Sequence, residues 1–255
     1  MKKIILILIT ALFSIVLSQA QVQSGEITYK VKSLDESQNK KDTTRVKSSA
    51  EKEAKQHLSD IYSKRDRAIP HLRFDLVFNP TEALFQHKES IEIDKGPDLD
   101  MGLAFVGGKG VFYTNLPEDL NIHQREYLKL VRIQSKVSDL KWQIKNEFKT
   151  IAGYQCQKAK TNIYVNDIQP EKEVTVWFAN ELPFSFGPMG MVGLPGMILG
   201  FERGKYFIYA KDIKLSKHNK KITSPKKGEK VTMDYIKDVD EKIKKNPVKY
   251  YNAEE

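Results

Sequence analysis

Short segments in which apolar and polar residues alternate recur along this 255-residue chain and limit the folds it can adopt. Ile27, Tyr29 and Val31 are the apolar half of one such segment, and residues 72–78 contain another. Alternation with a period of two sends successive side chains to opposite faces of a β-strand. Short strands joined by turns are typical of an antiparallel sheet or a partial barrel.

The same pattern predicts further strands, and nothing indicates the regular strand–helix alternation of a doubly wound fold. These strands are expected at 83–87, 103–106, 111–113, 126–132, 141–148, 154–165, 173–179, 197–201 and 206–215. We therefore predict a mainly antiparallel β protein of the α+β class. Its sheet is expected to be curved, or to form a half-open barrel resembling periplasmic lipoprotein carriers.

One helix is predicted to cover a face of this sheet. Ser48 and Glu51 have the spacing of a capping box, in which each side chain bonds a free backbone N–H at the helix start. Five apolar residues follow on one stripe, and Pro70 ends the segment. The stripe consists of Ala50, Ala54, Leu58, Ile61 and Tyr62. A second, short charged helix is expected at 238–246.

The N-terminus has the form of a secretory signal peptide. Lys2 and Lys3 precede a short apolar run, and Ser18 to Ala20 has the small-x-small form of a cleavage site. The alternative is a membrane anchor, but the run is short for a bilayer span of about 20 residues. We expect a signal peptide at 1–20, and a single β-rich domain at 21–255 with a charged tail from about 236. Without a later transmembrane segment, the mature protein would lie in the periplasm, at the cell surface or outside the cell.

The segment 184–204 is unusually rich in glycine and methionine. Six of the 14 glycines and three of the six methionines lie in it. Gly193, Pro195 and Gly196 are predicted to form a structural turn of type II, in which Pro195 sets φ and Gly196 supplies a positive φ. Arg203 and Gly204 are expected to close a hairpin.

Residues 193–199 resemble the defining motif of the GLPGLI family of secreted Bacteroidetes proteins. Met197 stands where the motif has leucine. The preceding segments 151–159, 177–179, 182–183 and 186–188 are similar to the family as well. The resemblance implies a bacterial, extracytoplasmic protein and, as a partner, an outer-membrane receptor. It implies no activity.

The glycine–methionine segment has two interpretations. In the first, glycines let the chain turn tightly and methionines fill gaps in the core. In the second, adaptable and aromatic side chains line the mouth of a cavity and contact an apolar ligand or a partner chain. The candidate binding residues of the second interpretation are Trp177, Phe184, Phe186, Met189, Met191, Leu194, Pro195 and Met197.

Motifs of catalysis and metal binding do not appear in the sequence. The five histidines are scattered and Cys156 is the single cysteine, so no catalytic residue, metal site or cofactor is predicted. Cys156 is expected to be a small buried thiol. The net charge of +9 is concentrated late in the chain, but no aromatic platform accompanies it, so we expect no nucleic-acid partner.

These patterns favour a non-enzymatic binding or accessory protein of the cell envelope, with an apolar ligand or an outer-membrane partner. The alternative is an extracytoplasmic enzyme, a hydrolase, whose site is assembled only in the fold. A pocket with converging titratable groups would favour the enzyme.

Overall fold

A single sheet of twelve strands dominates the structure, a computed structural model that describes residues 22–34, 49–88, 97–165 and 171–246. The predicted signal peptide at 1–20 lies outside these residues. The strands are β1 (Ser24–Ser33), β2 (Arg73–Phe78), β3 (Glu82–His87), β4 (Val111–Asn115), β5 (Leu120–Tyr127), β6 (Lys129–Ser135), β7 (Gln143–Ile151), β8 (Tyr154–Ile163), β9 (Lys172–Ala179), β10 (Met197–Arg203), β11 (Tyr206–Ser216) and β12 (Glu229–Thr232).

The sheet is open, and its order is β12-β6-β5-β4-β3-β2-β1-β11-β10-β9-β8-β7. Every neighbouring pair is antiparallel except β12 and β6. Register shifts interrupt β1 and β10, and such bulges bend a strand and increase its twist. The prediction of a mainly antiparallel protein built on one curved sheet is therefore confirmed. The comparison with lipoprotein carriers stays a prediction.

The inner face of the sheet holds the hydrophobic core, as the alternation predicted. Ile27, Tyr29 and Val31 of β1 are buried, and so are Phe74, Leu76 and Phe78 of β2. Tyr29 is fully buried, and its hydroxyl donates a 2.7 Å hydrogen bond to the carbonyl of Ile198. This bond ties β1 to the irregular part of β10, where the ladder with β9 shifts register.

Three helices flank the described sheet: α1 (Ser49–Ala68), α2 (Pro97–Val106) and α3 (Met233–Lys245). The apolar stripe predicted for α1 does not cover the sheet, because Leu58 and Tyr62 are 49% and 46% exposed. Only the end of α1 is buried, at Arg65 and Ala68, where Ala68 packs against Gly102 of α2. No helix of the described residues has the length and apolar character that crossing a bilayer requires.

Three local predictions differ from the structure. Residues 103–106 form the end of α2 rather than a strand, since Leu103 and Val106 are one helical turn apart and share the buried face. Residues 126–132 are split between β5 and β6 by a turn at Leu128, whose φ of 56° lies in the left-handed region. The helix expected at 238–246 begins earlier, at Met233, where Thr232 caps it.

The turn predicted at Gly196 is also wrong in its geometry. Gly193, with φ 92°, lies in the left-handed region, and Gly196 does not. The N–H of Met197 bonds the carbonyl of Leu182 instead of closing a turn to Leu194. Gly196 is required for a different reason: a Cβ there would lie 2.2 Å from the carbonyl oxygen of Ala179.

Replacing Gly196 with alanine should therefore destabilise the protein by about 1–3 kcal/mol, as overpacking a close contact does. Pro195 is adjacent and exposed, so Pro195→Ala is the matched control and should cost less than about 1 kcal/mol. Thermal unfolding of the two variants compares them directly. Equal shifts would show that Gly196 does not make this close approach.

Candidate functional site

The segment 180–196 packs against the inner face of the sheet. Most of the predicted binding residues lie in this segment and belong to the hydrophobic core. Phe184, Phe186, Met189, Met191 and Leu194 are all at most 8% exposed, and Met197 at the start of β10 is fully buried. Pro195 is exposed. The arrangement matches the packing interpretation of this segment, and ligand binding by these residues stays a prediction.

Trp177 lies apart from the methionines of this segment. It alternates along β9 with Val176 and Phe178, so its ring lies on the opposite face of the sheet. There its indole N–H donates to Glu202 at 2.7 Å, and the Lys149 ammonium lies 3.9 Å from the ring centroid. The predicted binding set is therefore divided between two faces and does not form one site.

A small cavity lies where α2 ends above β5. Its volume is about 250 Å³, and it is lined by Ala104, Gly107, Lys109, Arg125 and Glu126. Such a volume accommodates one small chemical group rather than a drug-sized ligand, whose pockets start at roughly 300 Å³. Three of the five lining residues are ionisable, so this cavity is the candidate functional site.

Gly107 shapes one wall of the cavity by capping α2. Its N–H bonds Ala104 and the N–H of Gly108 bonds Leu103, which is the Schellman pattern that ends helices at a left-handed residue. A Cβ at Gly107 would lie 1.5 Å from Nη1 of Arg203. The absence of a side chain at Gly107 therefore lets the Arg203 guanidinium reach the end of the helix.

Arg203 lies against Gly107, is not one of the five lining residues, and interacts with the end of α2. Its Nη1 donates a 3.4 Å hydrogen bond to the carbonyl of Val106, where the helix dipole favours a cation. Burial lowers the pKa of Arg203, and the nearby charge of Arg125 lowers it further. The sheet order separates β5, which carries Arg125, from β10, which carries Arg203, by five strands.

Arg125 is the arginine that lines the cavity. Its Nε is buried and, within the described part of the chain, has no hydrogen-bond partner. Its guanidinium carbon lies 5.1 Å from the ring centroid of Tyr127. Burial lowers the pKa of Arg125, while the charge of Asp240 acts in the opposite direction. Asp240 already accepts hydrogen bonds from Tyr127 and Tyr164.

His123 contributes no charge beside the arginines at neutral pH. Its ring stacks on Phe112 at a centroid distance of 3.8 Å, and Nε2 lies 2.8 Å from the carbonyl of Lys109. Because a carbonyl only accepts, Nε2 carries the proton of the neutral ring. Burial lowers the pKa of His123 to about 4; the charges of Arg125 and Arg203 lower it further, and the bond to Lys109 raises it.

Glu126 and Lys109 complete the polar lining. Glu126 is exposed at the end of β5, and the Lys109 ammonium lies 3.7 Å from Asp100 of α2. A carboxylate beside cationic groups can move a proton while the cations stabilise negative charge on a bound group. Among the residues that the structure describes, no group of three or more His, Cys, Asp or Glu side chains could hold a metal ion.

Cys156 is excluded from this site. It is fully buried in β8, and its thiol lies 3.5 Å from the carbonyl of Tyr154. Burial raises the pKa of the thiol to about 11, so little thiolate is present at neutral pH. The thiol therefore behaves as the small core residue that the sequence predicted.

Sequence reasoning missed the cavity because it predicted a strand at 103–106, where the structure has the end of α2. The signal for α2 was present, since Pro97 followed by Asp98 and Asp100 is typical of a helix start and paired glycines are typical of its end. No sequence signal joins Arg203 to the end of α2, because β10 lies far from α2 in the chain.

Comparison with known proteins finds one family model that matches part of the chain. Residues 123–240 match the family model of the N-glycanase peptide, N-terminal domain. No curated protein matches. Two solved structures of PNGF-II, in space groups C2 and P21, each align with 86% of this chain at TM-scores of 0.48 and 0.47 and identities of 16% and 15%. The chain spans 33% of their length.

The match to the N-glycanase family model corrects the prediction of a non-enzymatic protein. A non-enzymatic binding or accessory protein was predicted because the sequence shows no catalytic motif. The model that matches residues 123–240 describes a domain of an N-glycanase, so the finding contradicts that prediction and favours the alternative, an extracytoplasmic hydrolase. The matched residues include Arg125, Glu126 and Arg203, whereas Gly107 and Lys109 precede them.

A second glycine, Gly153, is the control for testing the close approach of Gly107 and Arg203. Gly107 and Gly153 both have positive φ, at 75° and 88°, but a Cβ at Gly153 would have nothing within 4 Å. Gly153→Ala should therefore cost only the left-handed backbone, about 1–2 kcal/mol. Gly107→Ala should lower the free energy of unfolding more, because Arg203 must also leave its position. Chemical denaturation of both variants tests this, and equal losses would contradict the described packing.

Proposed function

We propose that this protein is an extracytoplasmic hydrolase of glycan-bearing peptides, with the cavity between α2 and β5 as its active site. The observation that carries the proposal is the match of residues 123–240 to an N-glycanase domain, which includes two of the five residues that line the cavity. The export pattern at 1–20 supports the location. Assignment to the GLPGLI family is part of the same proposal, since that motif lies within the matched range.

Glu126 is the residue to which we assign proton transfer. Hydrolysis of a glycan–peptide bond adds the hydroxyl of water to the carbon that is attacked and a proton to the leaving group. A carboxylate can take the proton from water and return it to the leaving atom, a contribution of roughly 10²- to 10⁴-fold in rate. Glu126 is the one carboxylate-bearing residue among the five that line the cavity.

Lys109 and Arg125 are assigned to charge stabilisation. Both line the cavity with Glu126, and cationic donors held in a fixed position stabilise negative charge that develops during acyl or glycosyl transfer. The ion pair between Lys109 and Asp100 connects this cation to α2, and the hydrogen bond between His123 and Lys109 fixes the adjacent backbone. The residues of the site thus come from two elements and the loop that precedes β4.

The test is incubation of the full chain with an N-glycosylated peptide, followed by mass spectrometry of both products. Cleavage of the linkage amide would convert the glycosylated asparagine to aspartate, whereas cleavage within the glycan would leave a sugar on the peptide. We expect release of glycan by the unmodified chain and a loss of about 10²-fold or more for Glu126→Gln.

Glu118→Gln is the matched control. Glu118 is an exposed carboxylate in the turn that leads into β5, at the other end of that strand. The control variant should retain the activity of the unmodified protein. Absence of any cleavage by the folded protein, or an equal loss in both variants, would contradict the proposed active site.

A further inference from the structure

We propose that Asp240 of α3 is a positioning residue for the cavity: through the ring of Tyr127 it fixes the guanidinium of Arg125 at the cavity wall. The inference rests on the proposed function and deepens it, because it names a further residue that the same site requires. The position of Arg125 can be measured without any hydrolysis, so the two proposals are tested separately.

Arg125 is held at the cavity by an aromatic ring. Its guanidinium carbon lies 5.1 Å from the ring centroid of Tyr127, which is two residues further along β5 and therefore on the same face of the sheet. Among the described residues, Arg125 forms no ion pair, and its buried Nε has no hydrogen-bond acceptor. A cation over a tyrosine ring is attracted by the electron-rich face, and more strongly where water is excluded. The direction in which Arg125 points therefore depends on Tyr127.

Tyr127 is fixed in turn by α3. Its hydroxyl donates a hydrogen bond to Oδ1 of Asp240. The ring packs against a small core cluster that includes Val131 of β6 and Ile236 of α3. A hydrogen bond to a carboxylate is roughly twice as strong as one between neutral groups. Asp240 therefore restrains the ring on which the guanidinium of Arg125 lies.

The same carboxylate joins two distant parts of the sheet. Oδ2 of Asp240 accepts a 2.7 Å hydrogen bond from the hydroxyl of Tyr164, which directly follows β8. The strand β5 is third from one edge of the sheet, whereas β8 is second from the other edge. Each oxygen of Asp240 thus has its own tyrosine, and the two hydrogen bonds can be removed one at a time.

The restraint on Arg125 matters for the proposed reaction because donors that are already in position stabilise developing charge best. Arg125 is adjacent to Glu126 in β5, and both residues line the cavity. A guanidinium that is free to rotate must be ordered during the reaction, which slows the chemical step and affects substrate binding less. Loss of the contact between Asp240 and Tyr127 should therefore lower kcat and leave KM nearly unchanged.

The experiment measures how fast phenylglyoxal, a reagent for guanidinium groups, modifies Arg125 in the full chain, with mass spectrometry of the digested protein as the readout. In Tyr127→Phe the ring loses its bond to α3, and Arg125 should react about twofold faster or more, the lower end of a cation–π contact. Arg67, which is exposed and paired with Asp98, is the control in the same sample, and its rate should not change. An unchanged rate at Arg125 would overturn the proposal.

Tyr164→Phe is the matched control variant. It removes a hydroxyl from the same carboxylate, but Tyr164 has no contact with Arg125 among the described residues. The modification rate of Arg125 should stay that of the unmodified protein, even if the melting temperature falls as it does in Tyr127→Phe. An equal rise of the rate in both variants would overturn the proposal, because it would show only a general loosening of α3.

Asp240→Asn separates positioning from charge. Asparagine keeps a carbonyl oxygen that accepts from Tyr127 but removes the negative charge, so Arg125 should react nearly as in the unmodified protein. A faster reaction in Asp240→Asn without one in Tyr127→Phe would overturn the proposal and assign the effect to charge. Should Tyr127→Phe fail to fold, Asp240→Ala takes its place, and an unchanged rate at Arg125 in that variant would also overturn the proposal.

Cleavage kinetics with the N-glycosylated peptide separate the inference from the proposed function. Tyr127→Phe should lower kcat, by up to about 10²-fold as for a misplaced group, with KM within about twofold of the unmodified protein. Tyr164→Phe should retain both constants. Cleavage at an equal rate in Tyr127→Phe and the unmodified protein would overturn the inference alone. Faster modification of Arg125 in Tyr127→Phe, with no cleavage by the unmodified protein, would overturn the proposed function alone.

Discussion

The inside of a curved sheet must be filled, and the segment 180–196 does so in this protein. Protein interiors reach the packing density of organic crystals, so the twelve strands can curve only around side chains of fitting volume. Phe186 and Met189 supply that volume from within the segment, and both are buried. The hydrogen bond from Tyr29 to Ile198 fixes β10 against the interior at the position where the segment enters it. The positions of β5, β10 and α2 depend on this filling.

The cavity lies beside this filling. The methyl group of Met189 lies close to Gly108, and the guanidinium of Arg203 lies against Gly107. The end of α2 therefore packs between an apolar side chain of the core and a charged side chain. Beyond Gly107 the side chains are ionisable, and Arg125 has no carboxylate partner in the described part of the structure. Lys109, Arg125 and Glu126 therefore bring charges of both signs to one cavity, whereas ion pairs of the exposed surface are worth little to stability.

Sequence reasoning predicted the strands with clear alternation, because one buried face imposes a period of two on β1 and β2. It failed where local signals were weak. Leu128 is an apolar residue at a turn and carries no glycine or asparagine signal, and the apolar end of α2 was too short to separate from a strand by periodicity. Glu126 and Arg125 could not be identified as a site, since their partners come from residues distant in the chain. Most of the predicted apolar binding residues lie in the buried segment 180–196, and ligand binding by them stays a prediction.

The most direct measurement of the central claim is a crystal structure of the Glu126→Gln variant with an N-glycosylated peptide. We predict that the bond between glycan and peptide lies in the cavity between α2 and β5, beside position 126 and within hydrogen-bond distance of Lys109 or Arg125. A peptide bound elsewhere on the folded protein, with this cavity empty, would contradict the claim that the cavity is the active site.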